Sequence, residues 1–402
     1  MNILQICNKV PFPPKDGGAI AIWNLANGMA SKGHNVTILA MNTSKHRVET
    51  KTEEENISEK IKLHYVPVNI KISLLKLLLN YLFSKYPYNA KRFINKGFNK
   101  ALEDIFQTNK FDVIQLEGLY VTPHIKTIRR YTKSVIAYRA HNLESEIWKR
   151  LATYSKNPVK KIYLKNLSKR IEHLEKNLIN KYDLLIPITS RDLEHFQTMG
   201  NTKPAHVTPA GIPDEQLKHV KSNVDNKTFF YIGSLDWIPN QEGLLWFIDN
   251  VWLKINKEFP EVRFHVAGRN SPRWLSKKLV MSQIHFHGEV DSAGDFVDKY
   301  QIMIVPLFAG SGMRVKIIEA MARSKVIVTT SVGAEGIDIQ NGVHGIIANN
   351  ANEFYESLKK LLENNIFLTN IEGNSFALVK MKYNNNSISK DLLDFYDKYK
   401  AC

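Results

Sequence analysis

The sequence predicts two α/β domains, each a parallel sheet with helices on both faces. Two observations predict it. Short apolar runs of buried-strand type alternate with amphipathic helical stretches along the chain, and a single break dense in Pro and Gly interrupts the alternation near its middle. The length of 402 residues is too great for one ordinary core and suits two of roughly 200 residues each.

The first series opens with Ile3 to Cys7 as a strand, Ala19 to Lys32 as a helix and Val36 to Met41 as the next strand. Ile22, Leu25, Ala26 and Met29 fall on one side of that helix. Val113 to Leu116 and Ser134 to Tyr138 read as strands, and Val159 to Tyr182 as a long charged helix. Leu184 to Ile188 is a further strand, and Ser190 is placed to cap the helix behind it. The break falls at 205–215, through Thr208-Pro209-Ala210-Gly211-Ile212-Pro213, followed by the polar stretch Lys218 to Lys227. The second series has strands at Phe229 to Gly233, Val262 to Ala267, Ile284 to His287, Ile302 to Pro306, Val326 to Thr330 and Gly345 to Ala348. Gly243 to Lys257 and Val315 to Arg323 are its clearest helices, and the tail Asn384 to Lys400 is helical again. The domains expected are 1–208 with 384–402, and 209–383.

Composition narrows the class. Hydrophobic residues are 44% and charged residues 23%, as in a soluble globular protein. Cys7 and Cys402 are the only cysteines, so a disulfide framework or Cys-based zinc site is not expected, and a reducing, cytoplasmic setting fits. The opening residues lack a basic n-region and run into Pro11, Pro13 and Pro14, unlike a signal peptide. No stretch reaches the ~20 apolar residues of a spanning helix. The net charge of +16 admits an anionic membrane, phosphorylated substrates or nucleic acid as partners, or merely a lysine-rich proteome. No nucleic-acid-binding module accompanies it, so nucleic acid is not expected.

Ligands of open parallel sheets bind at the carboxyl ends of the strands, so the residues just after each strand carry the functional signal. After the first strand, Gly17 and Gly18 allow backbone N–H groups to approach a phosphate, or form an ordinary loop. After the fourth, Arg139, His141, Asn142 and Glu144 crowd together. His141 suits a hydrogen bond to a sugar hydroxyl, while Asn142 as cap and Glu144 in the first turn suit a helix start. In the second series, Gly233 and Ser234 follow a strand, and so does Arg269. Ala309 to Met321 is the strongest segment. Its glycine loop contains Ser311, Gly312 and Met313, and Arg314 and Lys316 sit at the start of the following helix. Cations there oppose the helix dipole unless an anion is bound, and a diphosphate suits them. Glu319, further into the helix, suits ribose hydroxyls. P-loop, Gly-x-Ser-x-Gly and Asp-x-Asp signatures are missing from the sequence, which gives no support to NTPase, serine hydrolase or metal-dependent chemistry. His285 and His287 alternate on a strand and need not be ligands.

These segments, taken in order, resemble glycosyltransferase family 4. The resemblance is carried by Pro-Pro-x-x-Gly-Gly at 13–18, Arg-x-His-Asn-x-Glu at 139–144 and Pro-x-Gly-Ile at 209–212. Further on it is carried by Gly-Ser-Leu-Asp-Trp at 233–237, Ala-Gly-Arg at 267–269 and Arg-x-Lys-x-x-Glu-Ala-Met at 314–321. It implies the GT-B architecture, two Rossmann-like domains facing a cleft, with the last helix crossing back onto the first domain. It also implies an N-terminal acceptor domain, a C-terminal nucleotide-sugar domain, and transfer with retention of configuration and without metal or other cofactor. His141, Arg314, Lys316 and Glu319 would be catalytic. Gly17, Gly18, Gly233, Ser234, Arg269, Ser311, Gly312 and Met313 would join the last three at the donor. Arg139, Asn142 and Glu144 would lie on the acceptor side. Ser311 stands where the family often has the first of two glutamates, and Ser234 where it often has arginine. Arg314 and Lys316 are therefore expected to take over the diphosphate.

Residues 71–100 interleave Ile72, Leu74, Leu75, Leu78, Leu82 and Phe83 with lysines. They form either amphipathic helices on an anionic bilayer or a helical pair packed on the first domain. The first option places the protein at the inner face of the plasma membrane, with a lipid-linked saccharide as acceptor. A sugar-nucleotide epimerase of the same fold and an inactive glycan-binding relative are the alternatives.

Overall fold

The computed structural model describes residues 1–44, 47–49, 54–155, 157–218, 228–310 and 312–400. Ser311, Cys402 and most of the polar stretch 218–227 lie outside the described residues. The chain divides into two compact units, Met1–Gly211 with Asn385–Cys402, and Ile212–Asn384.

The sheet of unit 1 contains β1 (Asn2–Cys7), β2 (Asn35–Thr43), β3 (Glu54–Ser58), β4 (Ile61–Val68), β5 (Val113–Glu117), β6 (Val135–Ala140) and β7 (Leu184–Pro187). Their spatial order is β3-β4-β2-β1-β5-β6-β7, parallel throughout except that β3 runs antiparallel to β4 at the edge. The helices are α1 (Gly17–Ser31), α2 (Leu74–Phe83), α3 (Tyr88–Lys91), α4 (Lys96–Thr108), α5 (Ile125–Tyr131), α6 (Glu144–Tyr154), α7 (Pro158–Leu178) and α8 (Ser190–Thr198). One face of the sheet packs on α4, α5 and α7 through Phe98, Leu102, Ile128, Leu167 and Ile171. The other is covered by α1 and by a helix from the far end of the chain.

Unit 2 comprises β8 (Thr228–Ile232), β9 (Arg263–Ala267), β10 (His285–Gly288), β11 (Ile302–Val305), β12 (Val326–Thr329) and β13 (Ile346–Ile347). They are parallel, in the order β10-β9-β8-β11-β12-β13. Its helices are α9 (Ile238–Phe247), α10 (Leu253–Glu258), α11 (Arg273–Met281), α12 (Ala293–Asp298), α13 (Val315–Met321), α14 (Ala351–Glu363) and α15 (Asn365–Lys382). The chain then returns to unit 1 as α16 (Asn385–Tyr399), whose Ile388, Leu392, Leu393 and Tyr396 share a core with Ile22, Leu25 and Met29 of α1.

The expected strand–helix alternation is present in both units, with four local differences. β3 and β4 were not expected. β4 keeps the period-two burial of a strand through Ile61, Leu63 and Tyr65. Thr189, not Ser190, caps α8, its hydroxyl accepting from Asp192 N at 3.0 Å. Asn142 is not the cap of α6; Leu143 holds that position with no side-chain bond. The helix expected at Gly243 to Lys257 begins earlier, with Pro239 in its first turn, and is interrupted by a π-helical turn at Ile248–Trp252.

Candidate functional site

In unit 1 the carboxyl ends of β1, β5 and β6 bring together one charged cluster. Cys7, Glu117 and Arg139 are register neighbours across the three strands. Arg139 is completely buried and its NH1 lies 3.3 Å from Glu117 Oε2 and 3.3 Å from Ala21 O. It therefore serves the site from beneath, through Glu117. The second partner of Glu117 is His141, with Nε2 2.5 Å from Oε2. Burial pushes the Glu117 carboxyl up, but Arg139 and His141 outweigh it and hold the group below its ordinary value. The ionised carboxylate places the imidazole proton on Nε2, so Nδ1 is the acceptor nitrogen. Burial keeps His141 below its ordinary value despite Glu117, and Arg139 and Lys9 add to the effect. Its side chain is still 15% exposed, enough to meet a ligand.

Sequence reasoning missed Glu117 and Lys9. The available signal was a carboxylate closing an otherwise apolar strand, Val113 to Glu117. Lys9 pairs with Asp16, which caps α1 by accepting from Ala19 N at 3.0 Å. A Cβ on Gly18 would stand 3.1 Å from Lys9 Nζ, so the glycine admits the lysine to the loop. Gly17 is the first residue of α1. Glu144 is turned toward Tyr120, whose hydroxyl donates to it at 2.8 Å, and burial raises its pKa. Asn142 is half-buried and hydrogen-bonds Glu144.

In unit 2 the site is built around Lys316. Its Nζ donates to Ile232 O at 3.2 Å and lies 4.5 Å above the ring of Tyr231. A Cβ on Gly233 would stand 3.0 Å from the Tyr231 hydroxyl and 3.2 Å from that nitrogen, so the glycine gives the lysine room. Burial, with Arg314 adding repulsion, depresses the Lys316 ammonium from 10.5 to about 7. Arg314 sits at the N-cap of α13, with NH1 2.8 Å from Gly312 O. The loop beneath it turns on Gly310 at φ 136° and Gly312 at φ 77°. Met313 is half-buried between them and α13. Trp237 braces the loop, its Cη2 3.2 Å from where a Gly310 Cβ would be. Burial raises the half-buried Glu319 to about 7.

Ser234 Oγ donates to Asp236 at 2.6 Å, while Asn240 and Gln241 donate to the carbonyls of Ser234 and Leu235 and fix that loop. Arg269 is half-buried, and its carbonyl accepts from Leu235 N at 2.9 Å. Unit 2 thus gathers Gly233, Gly312, Arg314 and Lys316 around one loop pair. Ser311 lies outside the described residues. Among those residues no group of three or more His, Cys, Asp or Glu is arranged to hold a metal ion.

Two family profiles cover most of the chain. "Glycosyltransferase Family 4" matches residues 15–216, and "Glycosyl transferases group 1" matches 226–364. The chain belongs to the family 4, group 1 glycosyltransferases.

This glycosyltransferase is 24% identical over 399 residues to the "uncharacterized 44.6 kDa protein in cps region" of Klebsiella pneumoniae, covering 96% of this chain and 97% of the other. Sucrose-phosphate synthase of Thermosynechococcus elongatus superposes with a TM-score of 0.76 at 14% identity, covering 99% of each chain. HepE of Anabaena in complex with UDP gives 0.68 at 13% identity, covering 99% of this chain and 100% of that one. TarM of S. aureus in complex with UDP gives 0.68 at 10% identity, covering 98% and 99%. The transferase has the GT-B fold of two parallel-sheet units, with α16 packed on α1. Among the described residues no helix is long and apolar enough to cross a membrane.

Proposed function

We propose that the enzyme moves a sugar from a nucleoside-diphosphate sugar to a glycan or lipid-linked saccharide, with retention of configuration and without metal, in the synthesis of a bacterial surface polysaccharide. Unit 2 takes the donor and unit 1 the acceptor. The observation that carries this reading is Lys316. A half-buried ammonium beside Arg314, at the start of a helix and with its charge disfavoured, is stabilised by a bound diphosphate. The same groups then favour the leaving diphosphate as charge develops on it, the usual large electrostatic contribution to such a reaction. Gly233, Ser234, Arg269, Gly312 and Met313 line the donor loops, Ser311 is assigned to the donor from the sequence, and Glu319 takes the ribose hydroxyls. His141, oriented by Glu117, meets the reacting sugar. Gly17 and Gly18 shape the loop beside it, with Asn142 and Glu144 on the acceptor side. The UDP held by HepE and TarM, and the cps-region setting of the Klebsiella relative, favour the same reading.

The acceptor assignment draws on α2. Leu74 is 80% exposed and Phe83 81%, with Ile72, Leu75, Leu78 and Leu82 also outward and Lys71, Lys76, Lys85 and Lys91 around them. A soluble surface rarely leaves so many large apolar side chains together. An anionic leaflet satisfies both the leucines and the lysines, so residues 71–100 hold the enzyme at the membrane where a lipid-linked acceptor is found.

A thermal-shift screen against UDP, GDP, ADP, CMP and their sugars tests the donor site. A nucleotide at 100 times its Kd stabilises the folded state by roughly 2.7 kcal/mol. The expected result is one responsive diphosphate whose effect is lost in Arg314→Ala and Lys316→Ala. No response to any nucleotide in folded protein would overturn the reading. Incubation with donor alone separates transfer from epimerisation by its product.

A further inference from the structure

The face of the unit 1 sheet beneath α1 and α16 is apolar except for one strip. Gln5, Gln115, Glu117 and Arg139 lie on it, all essentially without exposure. Buried amides and charges are costly unless bonded, so the bonds within the strip have a physical reason to be specific. Gln115 and Glu117 are two residues apart on β5 and point to the same side. Gln115 Nε2 donates to Glu117 Oε1. The other end of the Gln115 amide is held from α16, where Tyr396 Oη donates to Gln115 Oε1 at 2.6 Å. Glu117 Oε2 in turn holds His141 Nε2. The result is an unbroken chain of hydrogen bonds, Tyr396–Gln115–Glu117–His141, starting on a helix 281 residues away from its first partner in sequence.

The direction of each bond is fixed by chemistry. A tyrosine hydroxyl donating to Oε1 leaves the Gln115 NH2 group facing Glu117, and the carboxylate can only accept. Tyr396 therefore sets which way the Gln115 amide is turned. The amide sets how much negative charge Glu117 presents to the imidazole. Arg139 does not substitute for this, because its contact is to Oε2, the oxygen that His141 also uses.

We propose that Tyr396 is a positioning residue for His141, acting through Gln115 and Glu117. The proposal deepens the functional reading above and rests on it for the claim that His141 meets the reacting sugar. The hydrogen-bond chain itself does not depend on that claim. With the hydroxyl removed, Gln115 loses its anchor and turns from Glu117. More carboxylate charge then falls on His141, and the imidazolium is favoured.

The test is a histidine-edited NMR titration of the full chain, with the His141 signal assigned by its absence in His141→Gln. In Tyr396→Phe the His141 pKa rises by about half a unit to one unit, the size of one net hydrogen bond. Gln115→Met, which keeps the volume and breaks both bonds, moves it the same way and serves if Tyr396→Phe does not fold. In transfer assays, kcat falls about two- to tenfold while the donor KM is unchanged, a split that general loosening of the fold would not produce. A His141 titration matching wild type in both variants overturns the proposal. Unimpaired transfer by His141→Ala would instead remove the role of His141 in the reaction, and the titration would still decide whether Tyr396 positions it.

Discussion

Raising the pH from 6 to 8 should weaken donor binding, and Lys316 sets the size of the effect. In the free enzyme burial, reinforced by Arg314, brings this ammonium down to about 7 from 10.5. A bound diphosphate supplies the missing negative charge and returns the group toward its ordinary range. Binding therefore selects the protonated lysine. That form makes up about nine-tenths of the population at pH 6 and about one-tenth at pH 8, so the apparent affinity falls about tenfold, near 1.4 kcal/mol. The sign follows directly: the complex holds a proton that the free enzyme has released above about pH 7. Isothermal calorimetry with a nucleoside-diphosphate sugar, whose diphosphate does not itself titrate in this window, measures both quantities. Proton uptake read from buffers of different ionisation enthalpy should be near 0.1 per donor at pH 6 and about 0.9 at pH 8. Lys316→Arg, charged throughout, should lose the tenfold fall and keep only what the Glu319 carboxyl, itself raised to about 7, contributes. An unchanged Kd between pH 6 and 8 in wild type, or the same slope in Lys316→Arg, would refute the assignment of Lys316 to the diphosphate.

Three further outcomes are expected. Leu75→Glu with Leu78→Glu on α2 should abolish sedimentation with anionic vesicles while sparing transfer to a water-soluble acceptor; undiminished sedimentation would count against α2 as the membrane face. Gly243→Ala should destabilise unit 2 by about 3 kcal/mol or more, the reverse of helix propensity, because its Cβ would stand 1.9 Å from Pro306 O; chemical denaturation measures it. Burial raises the Glu175 carboxyl from 4.5 to about 7, so the folded protein keeps a proton that the unfolded chain loses, and stability falls as pH rises between those values. Glu175→Gln should remove that fall, gaining about 1–3 kcal/mol at pH 8 and little at pH 4.5, as read from unfolding curves at the two pH values.

The parts of the fold legible in the sequence are those that local patterning controls. The apolar runs at Ile3 to Cys7 and Ile302 to Pro306 call for burial on both faces, which a central parallel strand gives a segment too short for a helix. The strand β4 was harder to see, because Lys62, His64 and Pro67 dilute its alternation at the less buried side of the sheet. The caps at Thr189 and Leu143 differ by one residue from the sequence reading, a matter of backbone geometry that composition does not specify. At the candidate site, the cations Arg314 and Lys316 were legible because they stand where a helix dipole disfavours them. Glu117 was not, because its value comes from Arg139 and His141, 22 and 24 residues on, and from a tyrosine in the last helix. A polar residue within an apolar strand acquires meaning only from partners that the sheet register and α16 bring to it.

That helix also gives the polypeptide an order of assembly. Unit 1 is encoded in two pieces, and all of unit 2 lies between them. While the ribosome makes unit 2, the groove later filled by Ile388, Leu392, Leu393 and Tyr396 leaves Ile22, Leu25 and Met29 of α1 without their cover. At a synthesis rate of roughly 5–20 residues per second, that interval lasts on the order of ten to thirty seconds. Unit 2 is continuous and can close as soon as it emerges. The nascent chain thus carries a finished second domain before its first domain is sealed, and a chain truncated before Asn385 keeps an apolar groove open as a target for chaperones or for aggregation.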